Sequence, residues 1–312
     1  IRDRDNYGSH PAAVAVIDEL VEQEGFEREA LEAVFSDASR QDSIIDAMNR
    51  PAEKTKAWYE YRDIFINDKR IEGGVGFYRE HAETLQRAEQ ETGVPAEMIV
   101  AIIGVETYYG RIAGSYRVID ALSTLAFDYP RRSEFFTSEL KHYLLLTRDQ
   151  GMDPLQPVGS YAGAMGYGQF MPSSYRSYAV DFDGDQKADI WANPVDAIGS
   201  VANYFKAHGW REGGTVVLPA TAPEPVPEDM LSRGRKLTPR FTVGEFLDAG
   251  FSVDGEAGAN DEAIGIEFEQ ADGLEYWLGL HNFYVITRYN HSAMYAMAVY
   301  QLSQAIASGV GE

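Results

Sequence analysis

Cysteine is missing from all 312 residues. Its absence removes disulfides, thiolate nucleophiles, iron–sulfur clusters and cysteine-ligated zinc. It suits any compartment, including an oxidising one where a stray thiol is a liability. Histidine is scarce: six scattered copies with no H-E-x-x-H pair argue against a catalytic zinc. No apolar run approaches the ~20 residues that cross a bilayer, so the chain reads as soluble. From Ile1 onward there is neither a charged n-region nor an apolar h-region. A signal peptide or lipid-anchored segment removed before this point leaves no mark in such a sequence. Positive charge is also short. Lys and Arg number 27 against 49 Asp and Glu, a formal net charge of −22. That balance excludes nucleic acid as a partner, because its binding rests on neutralising phosphates. It also argues against loose adhesion to anionic membranes, and reports solubility rather than a particular partner.

What is present suffices for a real core, with 45% hydrophobic and 12% aromatic residues. Length suggests one to three domains. Helical periodicity marks "AAVAVIDELVEQEGF", which stops near Gly25, and "EREALEAVFSDA" after it. Further helices are predicted over 76–92, closed by Gly93, over 133–151, over 194–210 between Pro194 and Gly209, and over 292–307. Residues 213–285 differ. "TVVLPATAPEPVPEDM" is too proline-rich to be helical throughout. "RFTVGEFLDAGF", "AIGIEFEQ" and "LEYWLGLHNFYVITRYN" read as β-favouring runs separated by Gly and Asp. The expected fold is mainly α (α+β), a helical protein with one small β-rich insert.

The stretch "PAEMIVAIIGVETYYGRIAG" sets an acid against an oily helix. From Pro95 to about Tyr109 the pattern is helical, and Glu106 shares a face with Ile99, Ile102 and Ile103. Gly110 can end the helix, which puts Glu106 near its C-terminus. Desolvation and the negative end of the helix dipole both raise a carboxyl pKa. A glutamic acid that stays protonated near neutral pH can protonate a leaving group, as glycoside cleavage requires. The alternative is a glutamate paired with a buried arginine or capping a turn. The segment "GSYAGAMGYGQFMPSSY" places Gly163, Gly166 and Gly168 among Ser160, Tyr161, Tyr167 and Gln169. No Lys-Ser/Thr follows, so it is not a phosphate loop. Small polar groups beside aromatic rings suit a sugar, and a tight irregular turn is the plainer reading.

Five stretches in order, "GVETYYGR", "GAMGYGQFMPSSY", "DFDGD" with "DIW", "NPVDAIGSVANYFKAHGW" and "ITRYNHSAMYAMAV", resemble the lytic transglycosylases of the membrane-bound lytic transglycosylase B type. The likeness covers roughly residues 60–210 and 280–312. It implies a goose-type lysozyme-like helical core. The segments expected on this basis are an N-terminal helical domain over 1–75, the catalytic core over 76–212, the β-rich domain over 213–285, and a C-terminal helix over 286–312 completing the core. It implies cleavage of the β-1,4 bond between N-acetylmuramic acid and N-acetylglucosamine in peptidoglycan, with the muramyl C6 hydroxyl attacking to leave a 1,6-anhydromuramyl end. Glu106 matches the family's catalytic glutamate, acting as general acid and then general base. The resemblance makes Ser160 and Gln169 cleft residues around the scissile bond, and Tyr61, Tyr204, Tyr289 and Tyr295 the aromatic lining, with Asn290 in the same wall. Arg131 and Arg132 in "YPRRSEFF" would meet carboxylates of the stem peptide. No cofactor is expected for catalysis. The implied partners are glycan strands and other cell-wall enzymes, with a membrane engaged only through an anchor outside this chain. A monomer in the periplasm, with or without an outer-membrane anchor, is expected.

"DFDGDQKADIWANPVD" sets Asp181, Asp183 and Asp185 at positions 1, 3 and 5 of a calcium loop, with the Lys187 carbonyl at position 7. Gln186 stands where the standard loop has glycine, and Ala192 where it has glutamate. The family closes a longer loop with the acid of the following helix, here Asp196, and Asp189 is a further candidate. A structural Ca2+ or Na+ is expected, against an Asp-rich solvated turn. Two other functions remain open at this stage. One is a muramidase on the same fold, which needs a second carboxylate that the motifs do not supply. The other is a non-catalytic peptidoglycan-binding protein, which has no use for a buried acid.

Overall fold

The computed structural model describes residues 6–50 and 56–312; the first residues of the expected 1–75 segment and residues 51–55 lie outside the described residues. In chain order the helices and strands are α1 Pro11–Glu24, α2 Arg28–Asp37, α3 Asp42–Asn49, α4 Trp58–Phe65, α5 Asp68–Glu80, α6 Ala82–Thr92, α7 Ala96–Thr107, β1 Tyr116–Arg117, α8 Val118–Asp128, α9 Ser133–Asp149, β2 Val158–Gly159, α10 Pro172–Tyr178 and α11 Pro194–Ala207. There follow β3 Val217–Thr221, β4 Phe241–Thr242, α12 Val243–Asp248, β5 Ser252–Val253, β6 Glu262–Gln270, β7 Gly273–Gly279, α13 His281–Tyr289 and α14 Ala293–Gly311. Among the described residues no helix is long and apolar enough to cross a membrane.

These elements form two compact units, one from residues 6–50 and 110–200, the other from 56–109 and 201–312. The partition differs from the four segments drawn on the sequence, because the chain visits each unit twice. In the first unit α8 is the central helix, with every residue from Val118 to Ala126 buried. A two-stranded ribbon pairs Tyr116 with Gly159 and Arg117 with Val158. Arg117 fixes its entry, bonding Asp120 at 2.8 Å and Asp37 at 2.7 Å.

In the second unit α7 packs against α5, α6 and α14. Every residue from Met98 to Gly104 is buried, as expected of a helix apolar on all sides. A five-stranded antiparallel sheet runs in the order β4-β6-β7-β3-β5, and falls within residues 213–285. Trp58 of α4 meets Phe268 of β6 with ring centroids 4.8 Å apart.

Local differences from the sequence reading have identifiable causes. The helix expected over 76–92 is two, α5 and α6, parted at His81, whose backbone (φ −113°, ψ 24°) leaves helical geometry while its ring rests on Phe77. "TVGEFLD", read as strand, is mostly the helix α12, started by a reciprocal cap between Thr242 and Glu245. "HNFYVITRY", also read as strand, is α13. Phe283 fills the space beside Gly279 that a Cβ would need, and Asn282 bonds Arg211 and Gly214, so packing overrides β propensity. The helix α8 has no counterpart in the sequence reading.

The end of α7 is the sharpest feature of this unit. Tyr108 (φ 51°) and Tyr109 (φ 62°) are both left-handed, so the helix stops just after Glu106 rather than at Tyr109. The Tyr109 ring lies where methyl groups on Gly73, Gly74 and Gly104 would be, and its hydroxyl donates to the Arg70 carbonyl at 2.5 Å. Arg70 Nη1 in turn donates to the Gly104 carbonyl at 3.0 Å. A Cβ at Gly104 would stand 2.6 Å from the Tyr109 ring. Gly104→Ala is therefore expected to cost about 1–3 kcal/mol, read as a lower urea midpoint at unchanged slope. An unchanged midpoint would show that the ring has room to shift.

Candidate active site

The second unit holds Glu106 and the tyrosines that the sequence singled out. Glu106 occupies the last turn of α7 and is partly buried. Its Oε1 accepts a hydrogen bond from the Tyr295 hydroxyl at 2.9 Å. Tyr295 sits in the first turn of α14, held there because Ser292 caps that helix through the Tyr295 amide. Among the described residues no Lys or Arg forms an ion pair with Glu106, so the arginine-paired alternative has no support. Burial lifts the carboxyl from the ordinary value of 4.5 up to about 7, with the Tyr295 hydrogen bond pulling weakly the other way.

The tyrosines respond to the same charge. Burial and then the nearby Glu106 push Tyr61 up to about 12. The same two causes, in the same order, raise Tyr289 and Tyr295 well above the ordinary phenol value. All three phenols stay neutral. Tyr204 stands behind them: its ring meets Tyr289 edge-on at 4.7 Å and its hydroxyl donates to the Arg288 carbonyl at 2.7 Å. Asn290 ends α13 as an exposed residue, its carbonyl accepting from Ser292 at 2.7 Å.

The first unit holds the other candidates. Ser160 Oγ accepts from the amides of Ala162 and Ala164, at 3.2 and 3.1 Å. Gln169 is left-handed (φ 53°), and its Nε2 donates to the carbonyls of Ala113 and Gly166, at 3.2 and 3.0 Å. Both side chains thus tie the glycine loop. Among the described residues the Ser160 hydroxyl proton and the Gln169 Oε1 have no partner. Gly166 is required: at φ 73°, a Cβ there would lie 2.3 Å from the Ile190 carbonyl oxygen. Arg131 and Arg132 are exposed, and Arg132 stacks over Phe135 at 4.3 Å.

Asp181, Asp183, Asp185 and Asp196 gather in the same unit, each offering one oxygen within 4.8 Å of the others. Asp196 is fully buried and accepts the amides of Phe182 and Asp189, at 2.7 and 2.8 Å. Its pKa is raised, first by that burial. Gln186 (φ 73°) adopts the left-handed turn that glycine provides in the standard loop. Lys187 donates its amide to Asp185. Asp189 stands outside the cluster, accepting Trp191 and Ala192 instead. Four carboxylate oxygens around one point, one from a buried acid, fit a hard cation with oxygen ligands.

Sequence reasoning missed Arg70 and Tyr109, which lock the end of α7, and Asn193, whose Nδ2 holds Asp183 at 2.7 Å. No local motif marks the first two, since Arg70 and Tyr109 meet only through the packing of α5 against α7. The raised carboxyl has a measurable consequence. Its contribution to stability is fully present below the unfolded value of 4.5 and is lost as pH rises through about 7. Glu106→Gln removes that loss. Its melting temperature is expected to exceed the wild type by a few degrees at pH 8 and to match it more closely at pH 5. An equal difference at both would place the acid in an unperturbed setting.

The family model described as transglycosylase SLT domain matches residues 9–304. The membrane-bound lytic murein transglycosylase B of Escherichia coli (strain K12) is 46% identical over 311 residues, covering 97% of this chain and 84% of that protein. The structure of soluble lytic transglycosylase SltB1 from Pseudomonas aeruginosa is 54% identical with a TM-score of 0.93, covering 97% of this chain and all of that one. That of the Escherichia coli lytic transglycosylase Slt35 in complex with calcium is 47% identical with a TM-score of 0.89, covering 97% and 95% of the two chains. The chain belongs to the transglycosylase SLT domain family, among the lytic transglycosylases of the B type.

Proposed function

We propose that this protein is a peptidoglycan lytic transglycosylase that works through a single carboxyl group. The observation that carries the reading is Glu106, pushed up to about 7 and held by a neutral tyrosine rather than a cation. Near neutral pH a substantial fraction is protonated and can donate to the glycosidic oxygen between N-acetylmuramic acid and N-acetylglucosamine. The resulting carboxylate then takes the proton of the muramyl C6 hydroxyl as that oxygen closes on the anomeric carbon. The substrate's own N-acetyl group supplies the stabilisation that a second enzyme carboxylate provides in ordinary glycosidases. Tyr61 and Tyr289 offer ring surface to the sugars, and buried Tyr295 keeps water from Glu106, with Tyr204 supporting Tyr289 from behind. Asn290 is a further polar candidate in the second unit; in the first unit Ser160 and Gln169 are the candidate polar contacts to a glycan, and Arg131 and Arg132 the candidate charges for its stem peptide.

Digestion of purified sacculi tests the reading directly. Soluble muropeptides one water lighter than their reducing counterparts are expected, marking the 1,6-anhydro ring. Products at the full hydrated mass would instead make the protein a muramidase. Glu106→Gln is expected to lower turnover by at least about a hundredfold while the protein still binds glycan; a folded variant that keeps its activity would remove Glu106 from the mechanism.

Asp181, Asp183, Asp185 and Asp196, with the Lys187 carbonyl, would hold a Ca2+ or Na+ ion. Bound there, the ion would offset part of the cluster's negative charge and fix the 181–196 loop. Calcium added to chelator-treated protein is expected to raise the melting temperature, and Asp196→Asn to abolish the rise. No shift in the wild type would leave the cluster an acidic turn. The proposed setting is the periplasm, with or without an outer-membrane anchor, and the proposed working form is a monomer.

A further inference from the structure

Arg70, in the first turn of α5, is a cation without an acid. Its Nη1 donates to the Gly104 carbonyl at 3.0 Å, and its Nε is buried with no hydrogen-bond partner among the described residues. Burial lowers its pKa, and no carboxylate stands among the groups that act on it. The guanidinium carbon lies instead over two rings, 4.7 Å from the centroid of Tyr108 and 5.1 Å from that of Phe65. Stability alone does not account for an arginine here. Taking a guanidinium out of water without a carboxylate partner costs more than one carbonyl bond returns, and the ring contacts offset only part of that. A methionine would fill much the same space without the penalty.

Both rings belong to segments that carry the catalytic reading. Tyr108 ends α7 two residues after Glu106. Phe65 ends α4 and packs on Tyr61, one turn earlier, with ring centroids 5.2 Å apart. Tyr61 in turn is near enough to Glu106 for that carboxylate to raise its phenol. The Arg70 side chain therefore touches the turn that bears the acid and the ring that backs Tyr61. Its main chain does something separate. The Tyr109 hydroxyl donates to the Arg70 carbonyl, a bond that any side chain at this position leaves in place.

We infer that the Arg70 side chain is a positioning residue for the transglycosylase reaction: it clamps the last turn of α7 to the end of α4 and so fixes the Glu106 carboxyl relative to Tyr61. The inference rests on Glu106 as the acid and base proposed above. Arg70 acts through place and not through charge, since burial and the Tyr295 hydrogen bond are what act on the Glu106 carboxyl. One carboxyl must first reach the glycosidic oxygen and then the C6 hydroxyl from a single seat. A small displacement of that seat lowers turnover while substrate binding is kept.

Steady-state release of muropeptides from soluble glycan strands, well below the melting temperature of each variant, tests the clamp. Arg70→Met is expected to lower kcat about tenfold and to leave KM within about twofold. It should melt within a few degrees of the wild type, because the buried charge goes with the lost contacts. Arg70→Lys keeps a charged donor but not the planar stack, and should lose no more than about threefold. The alkaline fall of kcat should keep its place on the pH axis in both. Phe65→Leu should resemble Arg70→Met, and the double variant should be no slower than the slower single. Unchanged kcat in Arg70→Met would overturn the inference. So would a loss that tracks a large fall in melting temperature and is not relieved by lysine, a displaced alkaline limb, or losses that multiply in the double variant. Amide exchange at Tyr108 and Tyr109 reads the clamp without substrate: faster in Arg70→Met, restored in Arg70→Lys. Equal exchange in all three proteins would overturn the clamp even in a protein that turned nothing over. A wild type without turnover would sink the catalytic reading itself, an outcome distinct from any difference between the variants.

Discussion

The molecule depends on keeping one carboxyl in a place that does not favour its charge. Glu106 ends a helix that is buried on every side, and its only close polar partner among the described residues is a tyrosine hydroxyl. An arginine there would have stabilised the carboxylate and removed the proton that glycoside cleavage needs. A tyrosine satisfies one oxygen with a hydrogen bond and contributes no charge. The surrounding phenols follow the same logic, since the carboxylate itself raises their pKa values and keeps them neutral.

Holding an acid at a helix terminus also requires that the terminus be rigid. The last carbonyls of a helix lack partners and commonly fray. Here two consecutive left-handed tyrosines end α7, and Tyr109 lies in a cradle of three glycines from two helices. Arg70 adds a second donor to the Gly104 carbonyl, which already accepts the Tyr108 amide, and its own carbonyl takes the Tyr109 hydroxyl. Left-handed backbone costs about 1–2 kcal/mol at a non-glycine residue, and burying a large aromatic ring offsets that amount. The first unit uses the same device at smaller scale. Ser160 and Gln169 hold the glycine loop through side-chain hydrogen bonds to its backbone. Asp196 likewise holds two amides while offering an oxygen to the cluster.

Much of this was legible in the chain itself. Periodicity located α1, α2, α7, α9, α11 and α14, and glycines at 25, 93 and 209 marked real left-handed stops. The i, i+3, i+4 spacing placed Glu106 on an apolar face near a helix end, and desolvation then follows from elementary electrostatics. The regular spacing of Asp181, Asp183 and Asp185 signalled the acidic loop. The strand readings failed where packing overrode propensity. Strand and helix propensities are weak, and "HNFYVITRY" became a helix because Phe283 and Asn282 found partners elsewhere in the unit.

The sequence by itself determined the class of fold, the buried acid that the proposed chemistry uses and the family of the chain, because these are written in local spacing and in short motifs. Only the tertiary structure decided what surrounds that acid. Tyr295 lies 189 residues from Glu106 in the chain, and Asp196 closes its cluster from the helix after the loop. Lys56 and Met294 likewise line one cavity from the two ends of the second unit's sequence. A pKa depends on burial and on charges within a few ångströms, and those distances are set by packing between segments that the chain keeps far apart.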